Sequence, residues 1–125
     1  MRYILDTCLL IDHADGLRPA VELVARLFEE PNDLFTCDAI TAEALSRGTE
    51  EHLRSVRSML AVLEYIATAP EAARWAGESR RRRGQTSRRT LGDALIGGTA
   101  WFSGATVITR NPDDFIAQGI PVLTY

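Results

Sequence analysis

The chain has 125 residues, 46% of them hydrophobic and 25% charged, with a formal net charge of −3. That profile excludes disordered and fibrous classes, and the length suits one domain over residues 1–125 that buries about two-thirds of the surface its unfolded chain exposes. No apolar run approaches the roughly 20 residues of a membrane span. No targeting segment precedes the first strand. Cys8 and Cys37 lack metal-type spacing, so they read as reduced core thiols of a cytoplasmic protein. All 14 basic residues are Arg and none is Lys. The planar Arg fork suits phosphate and carboxylate, although base composition of a genome also produces an Arg-only chain.

In chain order, Tyr3, Ile4 and Leu5 form a short apolar run suited to a buried strand, and the run stops at Asp6. Open α/β sheets hold ligands beyond the carboxyl ends of their strands, and Asp is also a favoured helix cap. Asp6 therefore has two readings. Leu9, Leu10 and Ile11 predict a short helix closed by Asp15-Gly16. Pro19 opens a second helix with Val21, Val24, Ala25 and Phe28 on one face. Pro31-Asn32-Asp33 is a turn and Leu34–Cys37 a second strand. Asp38 is then expected to cap a helix that runs to Gly48 and carries Glu43.

Thr49 and two glutamates start a helix drawn to Ile66, with Leu53, Val56, Leu60 and Leu63 as its apolar stripe. Ile66-Ala67-Thr68 reads as a short third strand. Pro70 and Glu71 begin a further helix with Ala72, Trp75 and Ala76 facing inward, closed by Arg80–Arg83 and Gly84. Gln85–Arg89 is a polar loop. Thr90-Leu91-Gly92-Asp93 fits the capping box of a buried helix over Ala94–Phe102. Gly97 and Gly98 weaken that helix intrinsically, which predicts a neighbour packed closely on them. Gly104 ends it, Ala105–Thr109 is a strand, Asn111-Pro112 starts a short helix, and Pro121–Tyr125 closes the chain as a strand. His13 and His52 read as surface residues without a role, and Trp75 and Trp101 as core. Short apolar strands alternating with helices predict a mostly parallel α/β sandwich.

Four places share one grammar, a strand or loop, then an acid, then a helix start: Asp6, Glu43, Asp93 and the pair Asp113-Asp114. Singly, each has a structural explanation as a cap or a first-turn acid. Jointly they carry more, because a parallel sheet gathers the carboxyl ends of its strands along one edge. Several carboxylates packed there repel unless a cation neutralises them, and hard oxygen donors suit Mg²⁺ or Mn²⁺. Carboxylate-bound ions of that kind hydrolyse phosphodiesters. A receiver-type signalling domain would use such a cluster with a Lys, which this chain lacks. A dehalogenase-like phosphatase needs a second Asp where Cys8 stands.

Leu5-Asp6-Thr7, Thr41-Ala42-Glu43, Gly92-Asp93-Ala94-Leu95-Ile96 and Thr109-Arg110-Asn111-x-x-Asp114-Phe115 resemble, in order and spacing, the motifs of the PIN-domain family. Within that family the length and closing segment resemble the VapC-type toxins of bacterial and archaeal toxin–antitoxin pairs, over essentially the whole chain. The resemblance implies a three-layer α/β/α sandwich and a Mg²⁺-dependent endoribonuclease, with Mn²⁺ able to substitute. It also implies a tRNA or rRNA substrate, a cognate antitoxin that inhibits it, and a homodimer. Asp6, Glu43 and Asp93 match the family's first three acids, and Asp6 and Asp93 its metal ligands. Asp114 fits the fourth acid best, with Asp113 adjacent and Asn111 standing where some relatives carry an acid. Thr7 and Thr109 match supporting hydroxyls. Arg80, Arg81, Arg82, Arg83, Arg88 and Arg89 could grip RNA phosphates or the antitoxin, or form a solvated helix end. The rival reading is a PIN-like module that binds RNA or a partner without cutting; the filled acid positions argue for activity.

Overall fold

A computed structural model describes residues 1–125. Five strands, β1 (Arg2–Leu5), β2 (Asp33–Cys37), β3 (Glu64–Ile66), β4 (Thr106–Ile108) and β5 (Val122–Leu123), form one sheet in the order β3-β2-β1-β4-β5. Every pairing is parallel, so the expected mostly parallel sheet is wholly so. Seven helices flank it: α1 (Thr7–Ala14), α2 (Arg18–Glu29), α3 (Asp38–Leu45), α4 (Glu50–Val62), α5 (Pro70–Arg82), α6 (Leu91–Ser103) and α7 (Asp113–Ala117). None is long and apolar enough to cross a membrane.

β1 is the centre because its residues can be buried on both faces. Ile4 and Leu5 are fully buried, with Ile4 aligned to Phe35 on one side and Val107 on the other. From β1 the chain winds outward through β2 to β3, then returns to the opposite side of β1 to lay down β4 and β5. Strand order therefore reverses between β1 and β4. In open α/β sheets the crevice beyond the carboxyl ends at such a reversal is where ligands bind. Here that point is Leu5-Asp6 beside Ile108-Thr109.

Several local expectations change. α2 buries Ala20, Leu23, Val24 and Leu27, while Val21 and Phe28 are exposed. Two neighbouring stripes of this helix both satisfy helical spacing, and only Val24 belongs to both. Asp38 lies in the first turn of α3 rather than at its cap; its carboxylate takes a bond from the Tyr65 hydroxyl and one of 2.7 Å from the Thr68 N–H. α3 stops at Leu45, short of Gly48. α4 stops at Val62, where Leu63 turns extended and feeds β3 two residues earlier than expected.

The expected capping box at Thr90 is replaced by a short 3₁₀ turn over Arg88–Thr90. Its cap is Ser87, whose hydroxyl accepts from the Arg89 N–H. Close packing on the α6 glycines is observed: a Cβ at Gly98 would overlap the Ala72 carbonyl of α5, and one at Gly97 the Gln118 side chain. Trp101 and Phe102, however, are half exposed. Trp101 stacks on Trp75 at 5.6 Å between ring centroids instead of entering the core, because α6 turns its glycine side to α5. The two histidines are half buried, and His52 has a partner in Asp15 at 3.1 Å.

Candidate metal centre at the carboxyl edge of the sheet

Asp6 leaves β1 where the sheet ends, at the carboxyl edge, and it caps the helix that follows. One carboxylate oxygen caps α1, accepting the Thr7 N–H at 2.8 Å. The other accepts the Thr109 hydroxyl from β4's end at 2.7 Å, and the Cys8 thiol lies 3.7 Å from it. Only 7% of Asp6 is exposed. Burial pushes its carboxyl above the usual range, and the bonds from Thr109, Thr7 and Cys8 act against that rise.

Glu43 arrives from α3. Its Oε2 accepts the Thr7 hydroxyl at 2.9 Å, and its Oε1 lies against Gly92, where a Cβ would overlap it. The missing side chain at 92 thus lets the first turn of α6 seat directly on the Glu43 carboxylate. One residue on, Asp93 has its pKa pushed up to about 7. Burial is the largest cause, followed by the charges of Asp6 and Asp114, a hydrogen bond with Asp114, and the charge of Glu43. Asp93 therefore feels all three other acids at once. Thr7 links Asp6 to Glu43 through its N–H and its hydroxyl, and Glu43 meets the first turn of α6 beside Asp93.

The remaining candidates divide. Asp113 is exposed, and Asn111 contributes only its backbone N–H, which donates to Thr109 Oγ1 at 3.0 Å. Arg83, at the end of α5, donates to Asp114 Oδ1 at 3.3 Å. Arg80 instead donates to the Ser87 carbonyl at 2.8 Å, while Arg81, Arg82, Arg88 and Arg89 are exposed. Sequence reasoning missed three supports. Cys8 Sγ sits 3.5 Å from Thr109 Oγ1 and accepts the Arg110 N–H at 3.3 Å. The Arg110 guanidinium and the Tyr125 hydroxyl both donate to buried Asp12, at 3.0 and 2.6 Å. The Gln118 amide donates to the Asp93 carbonyl at 3.4 Å. Only the position of Cys8, one turn of chain beyond Asp6, carried any signal for these.

The donor set fits a hard divalent cation. Neighbouring carboxylates gain from a cation among them, and the Asp93 pKa is raised first by burial and then by the charges of Asp6, Asp114 and Glu43. No three acidic, His or Cys side chains close into a ready-made cage.

An all-parallel, doubly wound sheet with acids gathered at its switch point defines a class of proteins that bind a ligand at the carboxyl edge. Residues 3–119 match the model of the PIN domain, and the chain belongs to that family. Among solved structures, a toxin–antitoxin complex from Klebsiella pneumoniae is 27% identical with a TM-score of 0.76, aligning 98% of this chain with 96% of its own. VapBC2 from Rickettsia felis bound to a fragment of its promoter DNA is 19% identical with a TM-score of 0.81, over 100% and 99% of the two chains. DNA-bound VapBC from Salmonella typhimurium is 21% identical with a TM-score of 0.76, over 99% and 98%. No curated protein sequence matches the chain.

Proposed function

We propose that residues 1–125 act as one catalytic domain, a Mg²⁺-dependent endoribonuclease that is the toxin of a toxin–antitoxin pair in the cytoplasm. The observation that supports this reading is the placing of Asp6, bonded to Thr109, and of Glu43, bonded to Thr7 and set against Gly92 beside Asp93, at the switch point of a PIN-domain sheet. Asp6 and Asp93 hold the cation, and Glu43 and Asp114 flank it. When bound, Mg²⁺ or Mn²⁺ supplies Lewis acidity toward the phosphodiester and lowers the pKa of the attacking water.

The chain's own residues prepare that site. The Thr109 hydroxyl fixes one Asp6 oxygen, and the Thr7 N–H fixes the other. The Thr7 side chain orients Glu43 from the same helix start. Asp93, its pKa pushed up to about 7, would be one of the residues to hold a cation, in its deprotonated form. Exposed Arg81, Arg82, Arg88 and Arg89 offer forks to RNA phosphates. RNA affinity then falls with salt as condensed counterions compete. tRNA or rRNA is the substrate class.

A cognate antitoxin and a second copy of the chain are the protein partners. The reading is supported by the Klebsiella complex and by the apolar surface left at Phe28, Val62, Trp101 and Phe102. Purified chain is incubated with structured RNAs in Mg²⁺ or Mn²⁺ and then in EDTA. Cleavage should require the metal and vanish in Asp93→Ala. Cleavage that survives either treatment sinks the nuclease reading, and RNA binding without any cleavage supports a non-cutting module instead.

A further inference from the structure

We propose that Arg83 is a built-in counter-charge of the acid cluster, engaging Asp114 so that the site takes one divalent cation rather than two. This rests on the metal-dependent reading above. The Arg83 guanidinium donates to Asp114 Oδ1 at 3.3 Å. It is the more sheltered partner, with 20% of its side chain exposed against 44% for Asp114.

Its position is set by the fold rather than by a free side chain. Arg83 caps the end of α5. α5 lies against Gly98 of α6, the helix that also carries Asp93. Three residues earlier on α5, Arg80 bonds the Ser87 carbonyl and holds the following loop back against the helix end.

A guanidinium stays charged at every pH at which the acids ionise. Two-ion phosphodiester hydrolysis needs its ions roughly 3.5–4 Å apart. Here the acid beside Asp93 that would serve a second ion is already bonded to a fixed positive charge. A second divalent ion would sit against that charge, and Coulomb repulsion over a few ångström disfavours it. Arg83 then takes the electrostatic part of a second ion, and its fork retains donors for an oxygen of the phosphodiester. It is a positioning residue through Asp114, distinct from the exposed arginines around it.

The test counts ions. Mn²⁺ binding to the full chain is measured by calorimetry and by paramagnetic resonance, without RNA. The wild type should bind one ion, in a manner lost in Asp93→Asn. Arg83→Gln should bind a second ion; a first ion bound more tightly with no second ion overturns the inference. Arg83→Lys keeps the charge and should stay near the wild type. Arg26→Gln, which removes an exposed charge on α2, should change nothing. If Arg83→Gln does not fold, Asp114→Asn decides: one ion should still bind, with little loss of affinity.

Two ions in the wild type, unchanged binding in Arg83→Gln, or loss of all binding in Asp114→Asn overturns the inference. Asp93-dependent binding of Mn²⁺ in those cases leaves the nuclease reading standing. Absence of Mn²⁺ binding in the wild type overturns both.

Discussion

Asp6 and Asp93 face the same cluster but are held there by opposite means. Asp6 is gripped by neutral donors: the Thr109 hydroxyl, the Thr7 N–H and the Cys8 thiol. Asp93 is pushed up first by burial and then by the negative charges of Asp6, Asp114 and Glu43. The strand half of the site is thus organised by its own hydrogen bonds. The helix half carries buried and mutually repelling charge, and under the proposed function it is where protons and cations would compete.

The sharpest way to break this contrast is to neutralise each acid in turn. Asp6→Asn and Asp93→Asn should both lower RNA cleavage by roughly a hundred- to ten-thousandfold, the span for a positioned catalytic group. Their stabilities should separate. Asp6→Asn should lower the melting temperature, since an amide nitrogen meets donors on one side. Asp93→Asn should raise it at pH 8 in EDTA, because it removes repulsion. Melting curves that move together would erase the distinction.

Next in size is Thr109→Val, which leaves one oxygen of a buried carboxylate without its hydroxyl. It should cost about 1–3 kcal/mol in urea denaturation. A change near zero would mean that water replaces the hydroxyl and that the strand half is not organised by it.

Titration addresses the helix half. The pKa of Asp93 rises from 3.8 to about 7 on folding, so between those values the native state binds more protons than the unfolded chain. Its contribution to stability is then present at low pH, is lost as pH climbs through that window, and is level above it. The difference in unfolding free energy between wild type and Asp93→Asn, followed in EDTA, should shift against the wild type from about pH 4 to 7. Mg²⁺ should restore the wild type above pH 7. A difference independent of pH would remove the tension from the picture.

The smallest effect should come from Gly92→Ala at the seam of the two halves. The added methyl meets the mobile end of Glu43 rather than backbone, so the melting temperature should stay within a degree or two of the wild type. Cleavage should drop as the Glu43 carboxylate leaves the Thr7 hydroxyl. An unchanged rate would mean that Glu43 works from its displaced position.

Much of this was readable along the chain. The Tyr3–Leu5 run ending on Asp6 located the sheet centre, because a strand apolar on both faces must be interior. Gly97-Gly98 announced a close helix contact, because glycine in a helix is otherwise a loss. Periodicity failed where two answers had equal support. α2 carries two overlapping apolar stripes, and only the sheet decides between them. Trp101 satisfied helical spacing yet is half exposed, stacked on Trp75 of α5 at the rim while Gly98 makes the close approach to α5. Thr90 matched a capping pattern that Ser87 pre-empted one turn earlier. Contacts such as Arg83 with Asp114 and Arg110 with Asp12 join residues 31 and 98 positions apart, and no local pattern encodes such a meeting.

The central place of β1 also sets a schedule. The first residues made form the middle of the sheet, but the pairing with β4 waits for Thr106–Ile108, and the hydroxyl that fixes Asp6 waits for Thr109. Asp114 follows later still. A growing chain lacks the second wall of the crevice until β4 and the residues after it have been made. The order of synthesis thus leaves the carboxyl edge of the sheet open on one side of β1 until β4 and β5 are laid down.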